Sequence, residues 1–232
     1  MQAVILAAGE GRRLRPLTED RPKPMVLVGG KPILEHTLAT LPEEIDEIIL
    51  VVGYKQEKIK EYFGNSWAGR KIIYVDQPEP KGNGEAVERA RSFLRDGRFI
   101  VLFADDLYHP HDVRDCVRDG GLAILAKGTE HPERMGICLT DENGFLKELI
   151  EKPEIPPSNL ADIGVFVLDH DVFDMPKILV KNEHYLTPSI GALAQKRPIK
   201  VLSARFWHPI GYPEDVEAAE KYMDIPPEQR SN

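Results

Sequence analysis

Short apolar runs alternate with helically spaced apolar positions along the first hundred residues. Residues 3–7 (AVILA) form one run, stopped by Gly9, as expected of a strand buried on both faces. Residues 32–40 carry Ile33, Leu34 and Leu38 at helical spacing, and Leu41 continues the stripe. Glu47–Val52 (EIILVV) is a second buried run, ended by Gly53, and Gln56–Phe63 keeps Ile59, Tyr62 and Phe63 on one helical face. A third strand is expected at 71–75 and a helix at 84–94. The strand at Phe99–Phe103 then runs into Ala104-Asp105-Asp106. Strand–helix alternation of this kind predicts right-handed βαβ units and a parallel sheet with helices on both faces.

The second half is more mixed. Strands are expected at 122–126, 136–139, 145–150, 164–168 and 199–202. Asp141-Glu142-Asn143-Gly144 between two of them reads as a hairpin turn. Thr187-Pro188 reads as the start of a helix through Ala194, with Thr187 as N-cap and Pro188 at the first helical position. A last helix is expected at 213–223. The resulting expectation is one α/β domain over 1–223, with a Rossmann-like, mostly parallel sheet flanked by helices. A small antiparallel excursion falls in its second half, and 224–232 is a tail.

Length and charge narrow the possibilities. The 232 residues suffice for one large domain, and 42% hydrophobic with 29% charged residues excludes wholesale disorder. A net charge of −8 argues against a broad basic surface for nucleic acid, but leaves room for a local basic pocket. No apolar run approaches the roughly 18 residues a membrane span needs. The N-terminal apolar stretch is too short for a signal-peptide core. Cys116 and Cys138 are far apart, with no CxxC pattern and no His cluster near them, which fits reduced thiols rather than a disulfide or zinc site. A cytoplasmic protein without membrane or nucleic-acid partners is expected.

The chemistry concentrates after the first strand. Leu6-Ala7-Ala8-Gly9-Glu10-Gly11-Arg12-Arg13-Leu14-Arg15-Pro16 occupies the first strand-to-helix turn, the position beyond strand carboxyl ends where open α/β sheets bind ligands. Small residues and glycines let backbone N–H groups approach a phosphate, and three arginines with Lys23 supply counter-charge. Leu14 removes the third glycine of a dinucleotide fingerprint. Pro32 after Gly29-Gly30-Lys31 breaks the Walker A pattern, which needs Ser or Thr there.

The same segment, followed by Pro22-Lys23-Pro24-Met25 and Gly30-Lys31-Pro32-Ile33, resembles the signature of the sugar-1-phosphate nucleotidylyltransferases, of glucose-1-phosphate thymidylyl- and uridylyltransferase type. The similarity extends to about Tyr222. It implies transfer of a nucleotidyl group from a nucleoside triphosphate to a sugar-1-phosphate, with pyrophosphate released. On this resemblance the loop from Leu6 to Arg12 (Leu6, Ala7, Ala8, Gly9, Gly11 and Arg12) wraps the triphosphate, and Arg13 and Lys23 neutralise its charge. Gln77, Gly82 and Asn83 read a pyrimidine base of UTP, dTTP or CTP. Asp105 binds Mg²⁺, with Asp106 as second choice for that position. Gly136, Glu151 and Asp162 face the sugar, and Lys152 holds its phosphate. Relatives often form homo-oligomers.

Lys81-Gly82-Asn83-Gly84 and Asp162 are also similar to inositol-1-phosphate cytidylyltransferases, which keeps a CTP-dependent enzyme for a phosphorylated alcohol as an alternative. Trp207-His208-Pro209-Ile210-Gly211-Tyr212-Pro213-Glu214-Asp215 departs from the family pattern, which has an Asp or Asn metal ligand where Pro209 stands. Either His208 or Asp162 then compensates, or Asp105 serves with phosphates and water. A regulatory relative that binds nucleotide-sugar without turnover is the remaining alternative.

Overall fold

A computed structural model of the protein describes residues 1–180 and 182–224. The tail expected from 224 lies outside these apart from Asp224, which ends the last helix. The main elements are β1 (Gln2–Ala7), α1 (Ile33–Ala39), β2 (Glu47–Val52), α2 (Gln56–Phe63), β3 (Arg70–Asp76), α3 (Asn83–Ala90), β4 (Phe99–Phe103) and β5 (Asp106–Tyr108). They continue with α4 (Pro110–Arg118), β6 (Leu122–Gly128), β7 (Gly136–Thr140), β8 (Leu146–Glu151), β9 (Leu160–Leu168), α5 (Leu186–Ala194), β10 (Ile199–Ser203), β11 (Trp207–Pro209) and α6 (Pro213–Asp224).

The α/β architecture is as the sequence pattern implies. β1 lies between β2 and β4, parallel to both, and β3 pairs parallel with β2. The antiparallel part is continuous with this sheet rather than set apart from it. β9 runs antiparallel to β4, with Val165 opposite Leu102, and its first half pairs with β7 at Ala161 and Ile137. β6 also pairs antiparallel with β9, and β10 closes the sheet parallel to β6.

Side-chain alternation divides the interior into two cores. Ala3, Ile5 and Ala7 of β1 and Ile48, Leu50 and Val52 of β2 pack against α1, α2 and α4. Val4, Ile49, Val51 and Phe99 face the opposite way, onto α3 and α5. Both faces of the central strands are thus covered, which is why these strands read as unbroken apolar runs. A third cluster of Leu14, Val26, Val28, Ile33, Leu107, Ile210, Val216 and Ala219 ties the loop after β1 to β5 and α6. Among the described residues no helix is long and apolar enough to cross a membrane.

Two local expectations need correction. α5 begins at Leu186, so Thr187 is inside the helix and Tyr185 holds the N-cap position. The orphan N–H of Leu186 is satisfied instead by Asn83 Oδ1 at 2.8 Å, a partner over a hundred residues away that no local motif reveals. α4 is absent from the sequence expectation because charged and histidine residues fill most of it, although Val113, Cys116 and Val117 do form its buried stripe.

Candidate active site

The carboxyl ends of β1, β3 and β4 point the same way, and their loops carry Ala8–Arg13, Gln77–Asn83 and Asp105. β9 runs antiparallel beside β4, so its first half, with Asp162, reaches the same end of the sheet. Gly136 and Glu151 pair directly across β7 and β8, next to Ala161. Two adjoining cavities lie there. The smaller, about 290 Å³, is lined by Leu6, Ala8, Gly9, Lys23, Gln77, Gly82, Asn83 and Asp105 among others. The larger, about 640 Å³, is lined by Arg13, Lys23, Asn83, Asp105, Gly136, Glu151, Lys152 and Asp162 among others. Lys23, Asn83, Phe103, Asp105 and Tyr185 belong to both.

Ala7, Gly11 and Arg12 line neither cavity. Ala7 is buried in the core. Arg12 is exposed and bonded to Glu10 at 2.7 Å, and Arg15 takes the other oxygen of the same carboxylate. Gly11 has φ 71°, and a Cβ there would stand 2.6 Å from Cβ of Lys23. The loop therefore closes directly onto the stem of Lys23, a contact only glycine permits at that backbone angle. Arg13 is exposed, and its guanidinium lies 5.2 Å from the centre of the Tyr212 ring, an attraction between cation and ring face.

At the junction of the cavities, Lys23 Nζ donates to Asp105 Oδ2 at 2.9 Å and stands 4.0 Å from Asp106 Oδ1. Oδ1 of Asp105 is buried and has no hydrogen-bond partner. Asp106 accepts from Trp207 Nε1 and from the backbone N–H of Ile210. Burial, reinforced by the charge of Asp105, raises the Asp106 carboxyl to about 6. Asp106 is thus committed to holding the 207–210 segment, and Pro209 is its register partner in the β5–β11 ladder. His208 does not compensate for Pro209: it lies outside both cavities, with Nε2 against the Asp215 carbonyl at 2.8 Å.

Among the described residues no group of three or more His, Cys, Asp or Glu is placed to hold a metal with protein ligands alone. An unpartnered carboxylate oxygen on Asp105 still fits a hard divalent cation that takes most of its ligands from phosphate and water.

The residues expected beside the sugar, which line the larger cavity, are more tightly interlocked. Lys152 has φ 45°, a strained angle for a lysine, and its N–H donates to the Met135 carbonyl at 3.0 Å. Its Nζ donates to Tyr185 Oη at 2.8 Å and lies 3.2 Å from Glu151 Oε1. Burial opposes its charge, but Tyr185 and Glu151 outweigh that and raise its pKa. Asp162 is buried. Desolvation first, then the charge of Glu151, lifts its carboxyl to about 7, against the Gly164 N–H and Lys152, which pull it down. A Cβ on Gly136 would lie 2.0 Å from Asp162 Oδ2, so this approach also depends on glycine.

Sequence reasoning gave no role to several residues of the larger cavity: Thr129, His131 and Arg134 on one loop, Tyr185, and, within the segment singled out around Pro209, Trp207 and Tyr212. Tyr185 and Tyr212 sit just before helices, where apolar periodicity carries no signal for them.

The Nucleotidyl transferase family profile matches residues 2–224. The bifunctional protein GlmU of Methanocaldococcus jannaschii is 37% identical over 96% of this chain and 54% of its own length. The UTP–glucose-1-phosphate uridylyltransferase AglF of Haloferax volcanii is 36% identical over 96% of both chains. A crystal structure of UDP-glucose pyrophosphorylase complexed with UDP-glucose superposes with a TM-score of 0.84 at 23% identity, covering 96% of this chain and 97% of that one, and so shares the fold. The chain spans about half the length of the GlmU relatives it matches. A mixed α/β sheet with paired cavities at its carboxyl ends, and a profile match across nearly all of the described residues, place the chain in the nucleotidyl transferase family.

Proposed function

We propose that the protein transfers a nucleotidyl group from a pyrimidine nucleoside triphosphate to a sugar-1-phosphate, giving a nucleoside-diphosphate-sugar and pyrophosphate. The observation that carries this reading is the meeting of two cavities at one ion pair, Lys23 with Asp105. A two-substrate transfer between anions needs such a shared wall, because the reacting phosphates must be brought together against their mutual repulsion.

The smaller cavity takes the nucleotide, with Gln77 and Gly82 beside the base and the backbone at Ala8 and Gly9 beside the phosphates. The larger takes the sugar phosphate, with Lys152 on its phosphate and Glu151 and Asp162 on hydroxyls. The sugar phosphate carries roughly −1.5 to −2 charge near neutral pH, so it attacks the α-phosphorus without a general base. The bond from that phosphorus to the bridging oxygen breaks, and pyrophosphate leaves. Lys23 and Arg13 stabilise the charge that gathers on the departing group. Asp105 would hold a divalent cation, Mg²⁺ in this reading, which neutralises triphosphate oxygens when bound.

The experiment is a pyrophosphate-release panel of triphosphates against hexose-1-phosphates and inositol-1-phosphate, with and without Mg²⁺. Release with a hexose-1-phosphate supports the reading. Release confined to CTP with a phosphorylated alcohol favours the cytidylyltransferase alternative. Nucleotide-sugar binding without turnover across the panel favours a regulatory relative.

A further inference from the structure

Gln77 follows β3 and lines the smaller cavity. Its Nε2 donates to the Gly82 carbonyl at 3.0 Å and to Glu85 Oε2 at 2.6 Å. Both partners are acceptors only, so chemistry fixes which end of the amide is nitrogen: the reverse orientation would set its oxygen against two oxygens. Glu85 is itself held, one helical turn on, by Arg89, whose Nε donates to the other carboxylate oxygen. Both amide hydrogens of Gln77 are therefore used inside the protein. Oε1 accepts no hydrogen bond from the described residues and is not among their enclosed, unpartnered atoms. It is what Gln77 has left to offer a ligand.

We infer that Glu85 is a specificity-determining residue: by holding the Gln77 amide with its oxygen free, it selects uracil or thymine over cytosine. This rests on reading the smaller cavity as the nucleotide site. Uracil and thymine carry an N3–H donor at the centre of their pairing edge, which an amide oxygen can accept. Cytosine has a lone pair at N3, and only its amino group at the corner is a donor. An amide free to turn could serve either edge, with oxygen and nitrogen exchanged as needed. An amide held in one orientation meets the cytosine N3 lone pair with an oxygen. Glu85, the closer and the charged one of the two anchors, the other being the Gly82 carbonyl, thus weights the choice between pyrimidines without touching the base, as a positioning residue acting through Gln77.

The test is binding without turnover: calorimetric titration of UTP, dTTP and CTP into the full chain and into Glu85→Ala. The native protein should favour UTP and dTTP over CTP by at least about fivefold, the scale of one hydrogen bond gained or lost. In Glu85→Ala that ratio should fall by at least about threefold, with CTP gaining affinity, which damage to the fold would not produce. Glu85→Gln keeps an acceptor facing Gln77 and should retain the native ratio. Should Glu85→Ala fail to fold, Arg89→Met loosens Glu85 without removing it and should lower the ratio in the same direction. A native preference below fivefold, or a ratio that falls less than threefold in the loosened variant, overturns the inference while leaving the nucleotide site standing. If none of the three triphosphates binds the native protein, the reading of the cavity fails along with it.

Discussion

The two cavities that meet at Lys23 and Asp105 are built by opposite means. The smaller one draws most of its walls from the loops that follow β1 and β3, with Ala8, Gly9, Gln77, Pro80 and Gly82 among them, and Glu183 and Tyr185 close it from the far side. Of the cations in the loop after β1, Arg12 and Arg15 are held by Glu10 and line neither cavity, while Arg13 rests on Tyr212 at the larger one, so Lys23 is the cation that this loop region gives the smaller cavity. The larger cavity is formed by side chains brought together over long stretches of sequence: Glu151 and Lys152 at the end of β8, Asp162 on β9, Tyr185 before α5. There the charged groups are already paired and partly buried, and the Glu151 side chain is 7% exposed. A polyphosphate can be recognised by backbone N–H groups and a cation, because its charge is the same in every nucleotide. A particular sugar has to be recognised by side chains fixed in advance, and these need the whole sheet to hold them.

Lys23 belongs to both cavities, and its removal should have the largest effect. Lys23→Met leaves Asp105 and Asp106 without their shared cation and removes leaving-group stabilisation. Turnover in the pyrophosphate-release assay should fall by about 10²–10³-fold. Loss confined to one substrate's KM, with kcat intact, would show that the two cavities do not share a reacting centre.

Lys152→Met should separate the cavities. KM for the sugar phosphate should rise by roughly 10- to 100-fold, the range expected for one charge-assisted contact, while triphosphate binding measured by calorimetry stays within about twofold. An equal loss of triphosphate affinity would place Lys152 on the nucleotide instead. Gly136→Ala forces Asp162 Oδ2 away from its present position and should act in the same direction but less strongly, at about tenfold in sugar-phosphate KM. An unchanged KM in this variant would mean that Asp162 does not need its present position to bind the sugar.

How far each cavity could be foreseen follows from the same contrast. That Ala8, Gly9, Lys23 and Asp105 would come together was legible because a glycine-rich turn at a strand end is a contiguous signal. The strands themselves were legible because both faces are buried, and Glu47–Val52 and Phe99–Phe103 have the expected bounds. Tyr185, Tyr212 and Arg134 were not legible, because their place depends on β-pairings and turns far away in sequence. Asn83 reads as a base contact in sequence, yet its Oδ1 caps α5. The lack of a metal donor at Pro209 is plain from the sequence. That Asp106 lies opposite it, fully engaged with Trp207 and Ile210, is not.

The smallest expected effect is on stability and arises at Asp162 in the larger cavity. The folded pKa of Asp162 is raised to about 7, so the native state holds a proton that the unfolded chain releases near pH 4. Stability from this group is therefore full below about pH 4, declines as pH rises toward 7, and is lost above it. Asp162→Asn should flatten that decline and raise Tm at pH 8 by several degrees, with little change at pH 4, in a thermal-melt series. A variant as pH-sensitive as the native protein would show that Asp162 is already ionised at neutral pH.

The most direct test of the shared junction is a crystal structure with a bound nucleoside-diphosphate-hexose. Its diphosphate should lie beside Lys23 and Asp105, with the base by Gln77 and the hexose by Glu151 and Asp162. A diphosphate bound away from Lys23 and Asp105, or a base and hexose in exchanged cavities, would contradict it.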